Sequence, residues 1–280
     1  MSPATTLADA PSALGRLLAG GRTLVMGILN LTPDSFSDGG RFVDPAAAIA
    51  HAARMGRDGA DIIDVGAEST RPYGDAVEIS ADEECARLKP VLSQVIALGK
   101  PVSIDSMKAR VVAWALAQGA QIANDVWGLQ RDPDMARVVA EHRVPVIVMH
   151  NRAKAESSID IIADITAFFE RSLEIAERAG IARDKIVLDP GIGFGKTPEQ
   201  SLLTIARLQE FKRFDLPILM GLSRKRFIAH VVPSEPMQRL GGSLAGNLIA
   251  VEKGAAILRV HDVAETVQAL RVAEAIRARQ

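Results

Sequence analysis

Residues 101–126 read PVSIDSMKARVVAWALAQGAQIANDV, and this stretch decides the fold. Two short apolar runs, PVSIDS (101–106) and AQIANDV (120–126), flank KARVVAWALAQG, a segment with helical patterning. Its last residue, Gly119, is of the type that most readily takes the left-handed turn after a helix. A strand, a helix and a second strand in this order imply a parallel pair joined by a right-handed crossover. The polar residues that close the two runs, Asp105 and Asn124, then lie at the same end of the sheet.

Outward from this unit the pattern repeats. Further strand-like runs are TLVMGILN (23–30), ADIIDVG (60–66), VPVIVMH (144–150), KIVLDPG (185–191), LPILMG (216–221) and AILRVHD (256–262), which makes eight in all. Helical patterns follow most of them, among them SADEECARLKPVLSQVIALG (80–99), and several end at Gly59, Gly99, Gly180 or Gly254. Residues 23–277 divide into eight units of about 32 residues, which suits a single (β/α)8 TIM barrel. An open doubly wound α/β sheet also alternates strand and helix, but the strand count favours the barrel. Residues 1–22 read as an N-terminal extension and 23–280 as one barrel domain.

The chain has 280 residues, 48% of them apolar, with 33 Lys and Arg against 34 Asp and Glu. This is ordinary globular usage with a large core available. A formal charge of −1 and only 11 aromatic residues remove the usual footprints of a nucleic-acid partner. The N-terminal stretch lacks the basic and apolar regions of a secretory signal, and no apolar run approaches the roughly 18–20 residues of a membrane span. The single cysteine, Cys85, suits a reducing compartment, so the expectation is a cytoplasmic protein without a membrane partner.

In a barrel, catalytic groups project from the C-terminal ends of the strands and the loops beyond them. Asn30, Asp64, Asp105, Asn124, His150, Asp189 and His261 each close an apolar run, and Ser223 and Lys225 stand just past the seventh. Any one of these could be a strand terminator or a helix cap; together they mark a rim that carries chemistry. Period-2 geometry puts Ser103 with Asp105, and Arg259 with His261, on shared faces. An arginine inside a barrel strand needs an anionic ligand or a carboxylate neighbour, with a structural ion pair as the alternative. The run Asp262-Val263-Ala264-Glu265 reads as a capping arrangement whose free N–H groups favour an anion.

The run PGIGFGKT (190–197) invites a phosphate-loop reading, but Pro190 stands where that motif needs glycine, and Lys196 breaks the dinucleotide spacing. It reads instead as a turn that lets Phe194 approach a flat ligand. NLTPDSFSDGGRF (30–42) reads as a loop over the barrel mouth. The five histidines show no metal-binding spacing, which leaves room for a hard cation such as magnesium, carried by substrate phosphates and one oxygen ligand such as Asn30.

The segments MGILNLTPDSFSDGG, GADIIDVGAESTRP, VSIDS, ANDVWG, LDPGIGFGK, GLSRKRFI and GGSLAGNLIAVEKGAAILRVHDVAET run in order from residue 26 to 266. They resemble the dihydropteroate synthases, pterin-binding barrel enzymes of folate biosynthesis. The resemblance implies a transferase that condenses 6-hydroxymethyl-7,8-dihydropterin diphosphate with 4-aminobenzoate, using Mg2+. It implies pterin binding by Asp64, Asp105, Asn124, Asp189 and Lys225, and diphosphate binding by Asn30, Thr70, Arg71, Arg259 and His261. Asn30 would also bind the metal. Phe36, Pro72, Phe194 and Ser223 would frame the aminobenzoate pocket, the surface that sulfonamides occupy in the family. Asp105, Asp189, Lys225 and Arg259 would be the catalytic residues, and a homodimer is the family expectation.

Two departures stand out. Ala67 replaces a glycine common in the family, and MHNRAKAE follows the fifth strand where many members have a Met-His-Met-Gln-Gly run. A corrinoid-linked methyltetrahydrofolate methyltransferase would share the pterin-reading carboxylates but should lack the LTPDSFSDGG and STRP loops. A catalytically inactive pterin-binding paralogue would not need the intact Asn30, Asp105, Lys225, Arg259 and His261.

Overall fold

The computed structural model describes residues 12–32, 44–69 and 78–279. Eight strands form one sheet: β1 (Leu24–Asn30), β2 (Ile62–Gly66), β3 (Val102–Asp105), β4 (Ile122–Asp125), β5 (Val146–Met149), β6 (Ile186–Asp189), β7 (Leu219–Met220) and β8 (Ile257–Val260). All pairs are parallel, in the order β6-β5-β4-β3-β2-β1-β8-β7. The two ends of that order meet through a bridge between Leu188 and Ile218, with the Leu188 N–H donating to the Pro217 carbonyl at 2.9 Å. The sheet thereby closes into the expected (β/α)8 barrel. β7 is shorter than its apolar run because Pro217 has no N–H to give the ladder.

The helices are α1 (Ala13–Leu18), α2 (Pro45–Arg57), α3 (Ala81–Leu88), α4 (Leu92–Ile96), α5 (Ala109–Ala117), α6 (Met135–His142), α7 (Ile161–Arg178), α8 (Pro198–Ala206), α9 (Arg226–Val231), α10 (Leu240–Glu252) and α11 (Val263–Arg277). The pattern over 80–99 reads as one helix but forms two. Ser80 caps the first by accepting from the Glu83 N–H at 3.1 Å, and Pro90, which cannot continue the ladder, separates it from the second. None of the helices among the described residues is long and apolar enough to cross a membrane.

Strand periodicity sorts the side chains into two populations. Outward-facing Val25, Leu29, Ile63, Val65, Val102 and Ile104 pack with helix residues such as Ala48, Ala52 and Met55 of α2 and Val111 and Val112 of α5. Inward-facing Leu24, Met26, Ile62, Ile122, Ile147, Val187, Leu219 and Ile257 form a separate apolar cluster inside the barrel. Leu14 of α1, buried within that cluster, closes the floor from below, and such burial contributes about 1.5–3 kcal/mol. The stretch read as an extension thus supplies the plug of the barrel from residue 12 onward.

Two residues further along the same inward face, the character changes. Ile62 is followed by Asp64, Ile122 by Asn124, Val187 by Asp189 and Ile257 by Arg259, while β3 contributes Ser103 and then Asp105. The apolar floor carries a polar layer above it, at the C-terminal ends of the strands.

Candidate active site

The polar layer is knit together by Arg259. Its Nε donates to Asp64 Oδ2 at 2.6 Å and its Nη2 to Asp105 Oδ2 at 2.7 Å. Asn124 Nδ2 donates to both Asp64 oxygens, at 3.3 and 3.2 Å. Asp64 is fully buried and its negative charge is compensated by these donors. Asp105 is paired through one oxygen only: its Oδ1 is buried with no hydrogen-bond partner. Burial pushes the Asp105 carboxyl up, to about 7, against the pull of Arg259 and with help from the neighbouring Asp64 charge. Burial also disfavours the charge on Arg259, but Asp64 and Asp105 outweigh it and hold the guanidinium proton more firmly than usual.

Beside this core stand Asp189 and Lys225. Asp189 Oδ1 accepts from the Gly191 N–H at 2.8 Å, and burial raises the carboxyl despite the attraction of Lys225. Lys225 donates to the Ile192 carbonyl, and its ammonium lies 4.8 Å from the Phe194 ring centroid. Burial lowers Lys225 to about 8, with Asp189 working the other way. Phe194 packs with Trp127 against Met107, Val126 and Met149, which makes an apolar wall next to the charged layer.

Ser223 and His261 form a second group on the rim. The Ser223 hydroxyl accepts from the His261 backbone N–H at 3.2 Å and lies 3.0 Å from His261 Nδ1, which fixes the imidazole. The capping arrangement expected at residues 262–265 is not formed. Asp262 makes no side-chain cap on α11 because its carboxylate is taken by Arg224, which donates from both Nε and Nη2.

Asp64, Asp105, Asn124 and Arg259 are therefore in direct contact, Lys225 meets Phe194, and Ser223 meets His261. Asn30 ends β1, half-buried. Phe36, Thr70, Arg71 and Pro72 lie outside the described residues. The reading from sequence pairs Arg259 with the diphosphate, whereas here its guanidinium is engaged by two of the carboxylates assigned to the pterin. Sequence reasoning missed the partners of His150 and Lys196. Lys196 is buried and bonded to His150, and His150 to Asp164 on α7. No spacing rule connects residue 150 to 164 or 196; only the fold does.

Residues 26–261 match the family described as pterin binding enzyme. The dihydropteroate synthase of Bacillus subtilis (strain 168) is 44% identical over 256 residues, covering 91% of this chain and 89% of its own. The chain belongs to the dihydropteroate synthases. Among solved dihydropteroate synthases, that of Xanthomonas albilineans in complex with 7,8-dihydropteroate superposes with a TM-score of 0.84 at 41% identity, covering 92% of this chain and 94% of that one. The Yersinia pestis dihydropteroate synthase in complex with a sulfonamide drug gives a TM-score of 0.84 at 41% identity, with 92% and 95% covered. Membership of the dihydropteroate synthases makes the chain a transferase of folate biosynthesis and sets aside the corrinoid methyltransferase reading.

Proposed function

We propose that this rim joins 6-hydroxymethyl-7,8-dihydropterin diphosphate to 4-aminobenzoate, and that diphosphate departs before the arylamine attacks. The observation that carries the reading is the closed set of Asp64, Asp105, Asn124 and Arg259 in the upper barrel, with Asp105 Oδ1 lacking a donor. A pterin edge offers amide and amino N–H groups. A buried acceptor left unpaired costs about 1–3 kcal/mol, so a ring that supplies the missing donor is favoured over one that does not.

When the C–O bond breaks, its electron pair leaves with diphosphate and the methylene carbon becomes cationic in conjunction with the pterin. Carboxylates already fixed beside the ring stabilise that charge without reorganising, and Asp105 and Asp189 are the two assigned to do so. His261, with Thr70 and Arg71, stabilises the leaving anion, and Arg259 adds to this through its Nη1 end, since Nε and Nη2 are bonded to Asp64 and Asp105. The arylamine lone pair then forms the C–N bond and the nitrogen gives up one proton. No protein nucleophile is needed. Phe36, Pro72, Phe194 and Ser223 frame the arylamine, and the same surface accepts sulfonamides.

Magnesium belongs to this proposal. Among the described residues no three His, Cys, Asp or Glu side chains gather into a metal site, whereas Asn30 offers a single hard oxygen at the end of β1. That donor set fits a cation whose other ligands are phosphate oxygens of the substrate. Asn30 would hold the cation there, and the chemistry Mg2+ would supply is neutralisation of charge on the diphosphate. We place the reaction in the cytoplasm, in keeping with the free thiol of Cys85. The protein acts as a homodimer through the outer faces of α10 and α11, where Ile249, Val272 and Ile276 are exposed.

The test is a purified-protein assay with both substrates and Mg2+. One diphosphate is released per 7,8-dihydropteroate formed, and omission of 4-aminobenzoate abolishes dihydropteroate. Folded protein that releases no diphosphate contradicts the reading.

A further inference from the structure

The run PGIGFGKT puts a lysine where a phosphate-binding loop has one, and the fold uses it differently. Lys196 is 2% exposed, and its ammonium points into the protein. It donates to the Gly191 carbonyl at 2.8 Å, to the Phe194 carbonyl at 3.2 Å and to His150 Nδ1 at 2.6 Å. Three protons meet three acceptors. Carbonyls converge on a cation here, which is the reverse of a loop whose N–H groups cradle an anion.

The imidazole roles follow from its other neighbour. Asp164 accepts from His150 Nε2 at 2.9 Å and from Arg152 Nη1 at 2.8 Å. The bond to His150, then Arg152, lowers Asp164 to about 2, so it is ionised and receives the Nε2 proton. Nδ1 is left with a lone pair, which it gives to Lys196. Burial and the nearby Lys196 lower His150 to about 4, so the ring is neutral. Arg152 continues the chain of bonds to Glu156 at 3.1 Å, on the surface.

The turn held by this relay needs holding. Gly191, Gly193 and Gly195 have φ of 66°, 84° and 56°, a conformation that glycine reaches at the greatest entropic cost of ordering. At Gly191 a Cβ would overlap the His150 carbonyl oxygen. From the opposite side Lys225 donates to the Ile192 carbonyl and sits over the Phe194 ring. Two lysines therefore grip one turn, Lys225 from the site and Lys196 from within.

We propose that Lys196, oriented by His150 and Asp164, is a positioning residue for the arylamine step: it fixes the 191–195 turn so that Phe194 and the Ile192 carbonyl meet Lys225. The proposal rests on the reading of this rim as the place where 4-aminobenzoate is bound. Burial works against the buried ammonium and pushes Lys196 well below its ordinary range; the full set of acceptors holds it in place.

The experiment combines amide hydrogen exchange of the turn with steady-state kinetics on the full-length protein and its Lys196→Met, His150→Leu, His150→Asn and Asp164→Ala variants. For Lys196→Met and His150→Leu, exchange across residues 191–196 accelerates about tenfold while the β-strands keep their protection. KM for 4-aminobenzoate rises about tenfold, and Kd for the pterin diphosphate stays within about threefold, because its main partners stand on strands. His150→Asn keeps an acceptor toward Lys196 and restores most of both values. Asp164→Ala changes a partly exposed side chain, keeps the fold, and shows the same changes at smaller size. Unchanged turn exchange and KM in Lys196→Met and Asp164→Ala overturn the proposal. So does a loss of pterin and aminobenzoate binding in step with a lowered global Tm. Wild-type protein that forms no dihydropteroate overturns the underlying function instead, and the exchange data then decide separately whether Lys196 holds the turn.

Discussion

Asp105 answers to two opposed demands: it must be ionised to stabilise a cationic pterin, yet burial pushes its carboxyl up to about 7. Arg259 at 2.7 Å is what keeps the charged form accessible. Asp105→Asn preserves shape and removes the charge, so kcat is expected to fall by about 10²–10³ with the fold retained, as for loss of one preorganised electrostatic group. An unchanged kcat refutes its role. His150 gives a second expectation, in stability. Its folded value of about 4 lies below the ordinary 6.5, so the unfolded chain binds more protons between those pH values. Stability from this residue is complete above about pH 6.5 and is lost as pH falls toward 4. Thermal denaturation across that window should show a steeper loss for wild type than for His150→Asn; parallel curves contradict the assignment. The place of Asp105 and Asn124 in the polar layer was legible because each closes an apolar strand. The pairing of Arg259 with Asp64 was legible only as an alternative, since its partner is remote in sequence.

At the scale of elements, Lys108 joins three of them. Its ammonium donates to Glu68 just past β2 at 2.6 Å and to Glu84 on α3 at 2.9 Å, while its own backbone leads into α5. Glu84 is fully buried, and burial raises its carboxyl against the opposing pull of Lys108. Lys108→Met leaves that charge without a cationic partner, and chemical denaturation is expected to show a loss of about 3–5 kcal/mol. Adding Glu84→Leu removes the orphaned charge and recovers part of the loss; a double variant less stable than the single contradicts this account. Sequence patterning located every strand, because each is a short apolar run buried on both faces and closed by a polar or turn-forming residue. It overran where proline intervened, at Pro90 between α3 and α4 and at Pro217 before β7. It took Asp262 for a cap, since nothing local reveals that Arg224 claims the carboxylate.

At the scale of the molecule, one closed sheet assigns its two ends different work. Leu14 and the apolar layer seal the floor, and the same strands deliver carboxylates, an amide and a guanidinium two residues later. The alternation of eight units was visible in sequence, but the plug formed by α1 was not, because six residues outside any repeat carry no periodic signal. The outer wall carries the proposal of a dimer. The ends of α10 and α11 are linked by Arg277 and Glu252 at 3.9 Å, beside exposed Ile249, Val272 and Ile276. Sedimentation is expected to give a dimer for wild type and a monomer for the Val272→Glu, Ile276→Glu double variant; a wild-type monomer contradicts it.

The central claim is that the polar layer above the apolar floor reads a pterin, and a crystal structure of the protein with 6-hydroxymethyl-7,8-dihydropterin diphosphate tests it most directly. The expected result is a pterin ring in the upper barrel with a ring N–H about 3 Å from Asp105 Oδ1, and with Asn124, Asp189 and Lys225 on its edges. A ring bound elsewhere, or Asp105 Oδ1 still without a donor in the complex, contradicts the account.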